Sequence, residues 1–345
     1  MIEGHGDDAY RYKETIIADF SSNVFYGGLD KGLKIHLQGE IETVTHYPES
    51  DAWHLQIAAA KAYGVEPFQV LVTNGVTEAI YLVAQEYKKH ARTAVVAGPT
   101  FVEYRDACSM HGIKIIFTDW KDIKEENYKL NGLFFICNPN NPNGEAMPVE
   151  RLLRLFAKNP RTLFVVDESY IEFTLATESL IPHLVRYANV LVLRSLTKSC
   201  RIPGLRVGFV VGHPATILLF RNGKMPWSVN QLAIAAGLYI FKHRQQFTVP
   251  VRHLLAATSI WQEQLQKAFN WRVCGTDTHF FLIETPQEFT AAALKEHLVS
   301  GYGLLIRDAA NFGLNPRFFR VACQSPEHNQ FLTEALSQCA RTGLS

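Results

Sequence analysis

The segment SLTKSCRIPGLRVG, Ser195 to Gly208, follows an apolar run and sets one lysine, Lys198, among hydroxyls, with Arg206 eight residues further on. A lysine amine condenses with an aldehyde only when part of its population is neutral, and partial burial near other cations lowers its pKa in that direction. Ser195, Thr197 and Arg206 are the kinds of donor that a phosphate dianion needs. In LFVVDESY, Asp167 ends a second apolar run and Tyr170 follows three residues later. A buried carboxylate costs free energy unless paired, and a protonated ring nitrogen is a fitting partner, because that ion pair makes the ring an electron sink. In CNPNNPNG, Asn141 precedes Pro142, which holds it extended with its amide free to reach a ligand oxygen; standing alone, such a run is only a turn. In VTNGVTEAI, the backbone N–H groups of Gly75, Val76 and Thr77, with the Thr77 hydroxyl, form an anion site where a helix starts. Phe101, in GPTFVEY, is placed to stack on a planar ligand.

These residues need rigid supports, and the surrounding pattern supplies them. Short β-branched or aromatic runs alternate with amphipathic stretches, the pattern of a largely parallel sheet covered by helices on both faces. The expected strands are 70–73, 94–98, 114–117, 133–137, 162–167, 190–194 and 207–211. The expected helices are 51–63, with Asp51 as N-cap and Gly64 as the stop, and crossovers near 77–90, 100–112 and 148–158. From about residue 226 the texture changes to long helical patterns over 228–245 and 250–270, then a strand and helix mixture ending in a helix near 326–342. The expected division is an N-terminal segment 1–45 that packs with a small domain and the site, a large domain 46–225, and linking helices plus a small C-terminal α+β domain over 226–345. The fold class is α/β.

With 345 residues, 47% of them hydrophobic, the chain can bury a large core, so a disordered protein is excluded. The net charge is +1 and there is no basic run, so neither nucleic acid nor an anionic membrane is an expected partner; a small molecule is. The six cysteines are scattered, with no C-x-x-C pair, and read as reduced core thiols of a cytoplasmic protein. There is no apolar stretch of membrane-spanning length, and the acidic, polar opening does not read as an export signal.

Taken together, the Gly75 turn, GPTFVEY, the NP-containing loop, VVDESYIEF, the Lys198 segment, HYPES at 46–50 and the late arginines Arg307 and Arg320 resemble fold-type I pyridoxal-phosphate (PLP) enzymes, within them the histidinol-phosphate aminotransferase-like branch. The resemblance spans nearly the whole chain, in order and spacing as well as residue type. It implies an aspartate-aminotransferase-like fold with a mostly parallel seven-stranded sheet. It implies that Lys198 carries pyridoxal 5'-phosphate, that Asp167 pairs with the pyridine nitrogen, and that Asn141 and Tyr170 hold the 3' oxygen. Phe101 would cover the ring face. Ser195, Thr197, Arg206, Gly75, Val76 and Thr77 would hold the cofactor phosphate, joined by Tyr47 from across a homodimer interface. The loop reads NPNG where the family has NPTG, which puts a supporting hydroxyl at Asn143 in doubt, and Phe101 replaces a more usual tyrosine.

The opening GHGDD (Gly4–Asp8), followed by DFSSN (Asp19–Asn23), resembles the threonine-phosphate decarboxylases of cobalamin biosynthesis; histidinol-phosphate aminotransferases share the cofactor residues and are the alternative. Either substrate carries a phosphate. Arg320 resembles the family's carboxylate-binding arginine, and His5, Ser22, Asn23, Asn141 and Arg307, with Arg11, are the candidates for the rest of the substrate pocket.

Overall fold

The computed structural model describes residues 6–90, 92–126, 128 and 130–343. A two-residue strand, β1 (Ala18–Asp19), opens the chain and is followed by α1 (Lys31–Glu40) and α2 (Trp53–Tyr63). Then come β2 (Val70–Thr73), α3 (Gly75–Tyr87), β3 (Thr93–Gly98), α4 (Glu103–Met110), β4 (Lys114–Asp119), β5 (Leu133–Cys137), α5 (Val149–Lys158), β6 (Leu163–Asp167), β7 (Val190–Ser195) and β8 (Gly208–Gly212). These last seven strands form one sheet in the order β2-β8-β7-β6-β5-β3-β4. β8 runs antiparallel to the other six, which are parallel to one another.

Alternate side chains of a strand leave on opposite faces, and a sheet covered on both sides must be apolar on both. In β5, Phe134 and Ile136 join one core with Leu55 and Ala59 of α2 and Leu152 and Phe156 of α5. Leu133, Phe135 and Cys137 join the opposite core with Ile80 and Val83 of α3 and Ala107 and Cys108 of α4. This two-sided burial explains why the strands read as unbroken apolar runs.

The remaining elements are α6 (Pro214–Gly223), α7 (Gln231–Lys242), α8 (Val251–Ala268), β9 (Arg272–Val273), β10 (Phe280–Glu284), α9 (Ala291–Tyr302), β11 (Leu304–Leu305), β12 (Arg307–Asp308), β13 (Phe318–Ala322) and α10 (Pro326–Thr342). An antiparallel sheet β12-β13-β10-β9 builds a third core around Trp261, Phe281, Leu298, Phe319 and Leu336. The opening segment enters this core through Ala18 and Phe20, and β1 pairs in parallel with β11. Leu33 of α1, by contrast, packs in the first core beside Ala233 and Ile234 of α7.

Two local expectations need correction. Asp51 does not cap α2: Ala52, at φ +54, occupies the cap position, and the Glu49 carboxylate accepts from the His54 N–H at 2.9 Å instead. The left-handed turn at Ala52 moves Asp51 off the helix axis, so the acceptor comes from further back in the chain. Helices α1 and α6 were not anticipated. In α1, two glycines and a single fully buried side chain, Leu33, leave little amphipathic pattern to detect.

No helix among the described residues is long and apolar enough to cross a membrane. All six cysteines are free thiols, with Cys274 half-buried and the rest buried.

Candidate active site

Strands β2, β3, β5, β6 and β7 are parallel to one another, so their carboxyl ends share one edge of the sheet, and the antiparallel β8 begins there. Open α/β sheets bind ligands at that edge. A cavity of about 440 Å³ lies there. The large sheet contributes Thr77, Phe101, Asn141, Tyr170, Lys198 and Arg206 to its wall. The small sheet and its loops contribute Arg307, Phe312 and Arg320, and the opening segment Gly6, Asp7 and Ser21–Asn23.

One end is an anion cradle. Gly75 starts α3 at φ +74, a conformation that glycine takes without strain, and a Cβ there would meet Arg206 Nη2 at 2.5 Å. A Cβ on Gly208 would meet the Gly75 and Val76 backbone at 2.8 Å. These two glycines let the start of β8, the start of α3 and the guanidinium close on one another. The Ser195 and Thr197 hydroxyls face each other at 2.7 Å. Two hydroxyls, a guanidinium and free N–H groups at a helix N-terminus are the donor set of a phosphate site.

Asp167 ends β6 and is 4% exposed. Its Oδ1 accepts from the Ser169 N–H at 2.9 Å and its Oδ2 from the Tyr104 hydroxyl at 2.7 Å. Burial raises its pKa, and these donors oppose the rise. Both donors are neutral, so the buried carboxylate has a place that a protonated ring nitrogen would fit. Glu168 has a different task. Its carboxylate meets Arg194 at 3.2 Å and accepts from the Leu180 N–H and the Ser179 hydroxyl, a buried structural pair away from the cavity.

Lys198 has its pKa pushed down to about 8, first by burial, then by the charges of Arg206 and Arg320, with Asp7 and Asp167 opposing. This is the direction that leaves an amine partly neutral and nucleophilic. Burial raises the Tyr170 phenol to about 12, against the pull of Arg320, so it remains a hydrogen-bond donor at neutral pH. Asn141 commits Oδ1 to Arg320 Nη1, which leaves Nδ2 to donate. In the NPNG loop, Asn143 Oδ1 accepts from Asn140 Nδ2 at 2.9 Å, so an amide oxygen braces the loop at the position where a hydroxyl was in doubt.

Arg320 and Arg307 are directly paired residues on β13 and β12, both buried. Arg320 also donates to the Ser21 carbonyl, and Arg307 donates to Asn311 Oδ1 at 2.8 Å. Arg320 is lowered to about 10 by burial, and Arg307 to about 10 by burial together with the charge of Arg320. Two cations held together at this cost mark a place for more than one anionic group.

Of the expected residues, Lys198, Tyr170, Asn141, Phe101, Thr77, Arg206, Ser22, Asn23, Arg307 and Arg320 line the cavity; Gly75, Val76, Ser195 and Thr197 stand behind it, and Asp167 is buried beside Lys198. Arg11 is exposed and not among the lining residues. His5 lies outside the described residues. Tyr47 is not in this cavity: it is 86% exposed and packs on Trp227 with ring centroids 5.5 Å apart. The sequence reading missed Tyr104, in the first turn of α4, whose ring meets that of Phe101 edge to face with centroids 5.7 Å apart. It also missed His279, buried against Phe173 at 4.2 Å and within 3.1 Å of the Asn23 carbonyl. Burial pushes the His279 pKa down to about 3, so the ring is neutral, and it can support Asn23 by donating to that carbonyl.

The chain is 30% identical to the threonine-phosphate decarboxylase of Salmonella typhimurium, over 93% of this chain and 90% of that one. It is 28% identical to histidinol-phosphate aminotransferase 1 of Mannheimia succiniciproducens, over 93% and 89%. Its fold superimposes on the crystal structure of L-threonine-O-3-phosphate decarboxylase from Porphyromonas gingivalis with a TM-score of 0.89 and 34% identity, covering 94% of this chain and 99% of that one. The family model of aminotransferase class I and II matches residues 15–336, and the chain belongs to that family.

Proposed function

We propose that this protein decarboxylates O-phospho-L-threonine, releasing CO₂ and 1-amino-2-propanol O-phosphate, a reaction of cobalamin biosynthesis. The observation that carries the reading is the meeting of the opening segment with two buried arginines: Gly6, Asp7 and Ser21–Asn23 share one cavity wall with Arg307 and Arg320. A small amine bearing both a carboxylate and a phosphate matches that pair of cations. The likeness to decarboxylases named for this substrate supports the same choice.

The cofactor of this family is pyridoxal 5'-phosphate, and when bound it supplies an electron sink for the pair released when the Cα–carboxylate bond breaks. The chain's own residues set the outcome. Gly75–Thr77, Ser195, Thr197 and Arg206 anchor the phosphate end, Phe101 covers the ring, and Asp167 holds the ring nitrogen protonated. Arg320 would bind the substrate carboxylate and so set how the bonds at Cα are oriented. Arg307, with Ser22 and Asn23, receives the substrate phosphate. Lys198 would return the proton to Cα, so one CO₂ leaves and one proton is taken up per turnover. We also propose a homodimer: Ile41, Val44 and Tyr47 are exposed along one stretch of chain, Tyr47 lies against the exposed Trp227, and in this arrangement each Tyr47 reaches the partner's cofactor phosphate.

The test is to incubate the PLP-loaded protein with O-phospho-L-threonine and follow CO₂ and amine together. One CO₂ per amine formed, with the cofactor unchanged, is expected. Absence of CO₂, with conversion of the cofactor to pyridoxamine phosphate by histidinol phosphate or glutamate, would establish the aminotransferase instead.

A further inference from the structure

The opening segment reaches the cavity only because something holds it down. Asp8 is buried, and its Oδ2 lies 2.7 Å from Nζ of Lys295, itself a buried side chain on α9 of the small body. The other oxygen of Asp8 is buried without a hydrogen-bond partner, so the lysine is what makes burial of this carboxylate tolerable. Lys295 Nζ also lies 5.5 Å from the centre of the Tyr12 ring, and the Tyr12 hydroxyl donates to Glu296 at 2.7 Å. On the cavity side of this anchor, the Asp7 N–H donates to Ser21 Oγ at 2.7 Å. The Gly6 backbone is so close to Ser21 that a Cβ would fall 2.4 Å from its carbonyl oxygen and 3.5 Å from Arg320 Nη2.

We infer that the Asp8–Lys295 ion pair is a positioning latch: it fastens residues 6–12 to α9 and so shapes the subsite that receives the substrate's phosphate. The inference rests on the phosphorylated-substrate reading above and adds residues that touch neither substrate nor cofactor. A buried pair suits the task because loss of either partner leaves an uncompensated charge inside, which drives the segment out toward water. The latch acts on the substrate end of the cavity, away from the phosphate cradle at Gly75, Ser195, Thr197 and Arg206.

The test compares Asp8→Asn, Lys295→Met and the conservative Lys295→Arg as holoenzymes. In the first two, Kd for inorganic phosphate by titration calorimetry and KM for O-phospho-L-threonine rise about tenfold, while binding of unphosphorylated L-threonine and cofactor occupancy stay as in the parent. Lys295→Arg retains the parent affinity. Phosphate affinity unchanged in both charge-removing variants, or lost equally in Lys295→Arg, overturns the latch. Should those variants fail to fold, hydrogen exchange on the unaltered holoenzyme decides: the amides of residues 6–12 become protected when phosphate is added, and no change refutes the inference. If the unaltered enzyme releases no CO₂, the proposed function fails, and the phosphate measurements still judge the latch.

Discussion

Tyr104→Phe removes a single hydroxyl and is the sharpest probe of how Asp167 is prepared. That hydroxyl donates to Asp167 Oδ2 at 2.7 Å, one of two donors holding a carboxylate whose pKa burial raises. A hydrogen bond to a buried charged group contributes about 1.5–3 kcal/mol. Its loss raises the carboxyl further and shifts the proton it shares with the ring nitrogen toward the carboxylate by that same energy. If the whole effect falls on the step in which the ring accepts electrons, kcat drops about ten- to hundredfold. The phenyl ring itself stays, and with it the stacking on Phe135 at 5.3 Å, so the fold and the cofactor content should be retained. The assay is steady-state turnover at matched cofactor occupancy, with thermal unfolding as control. A variant that keeps kcat within twofold while fully loaded refutes the argument that two donors are needed at Asp167.

The cradle and the lysine give two further expectations. Gly75→Ala forces a side chain into φ +74 and sets its Cβ 2.5 Å from Arg206 Nη2, a strain of about 1–3 kcal/mol, so PLP affinity should fall about tenfold or more by absorbance titration. Unchanged affinity would mean that the close approach of Arg206 is not what holds the phosphate. For Lys198, the pKa depressed to about 8 leaves the amine charged below that pH and neutral above it. Near pH 7.5 about a quarter is neutral, against about one part in a thousand for an ordinary lysine. The rate at which apoenzyme captures PLP, followed by stopped-flow absorbance, should therefore rise with pH and level off above about 8. A rate still climbing steeply past pH 9 or so would show that neither burial nor the neighbouring arginines depress the amine.

The reach of the sequence followed from what is local. Apolar runs buried on both faces announce strands such as β5 and β6, and a chain that switches from such a run to Lys198, Asp167, Asn141 or Gly75 displays its ligand-binding ends directly, because that edge of a parallel sheet is where helices and loops begin. The fold class and the Gly64 helix stop were legible for this reason, as was the set of residues that stands at that edge. Contacts between distant segments leave no such trace. Tyr104 reads as one more core aromatic until α4 brings its hydroxyl to Asp167, 63 residues away. Asp8 has no visible partner in the sequence until the pairing of β1 with β11 carries the opening segment onto α9 and Lys295, 287 residues further on. Arg307 could be a surface ion by pattern, and only its register opposite Arg320 turns both guanidinium groups into one cavity. Sequence determined which chemistry this chain can carry; tertiary packing decided which charges meet, since burial and pairing depend on neighbours that the order of residues alone does not bring together.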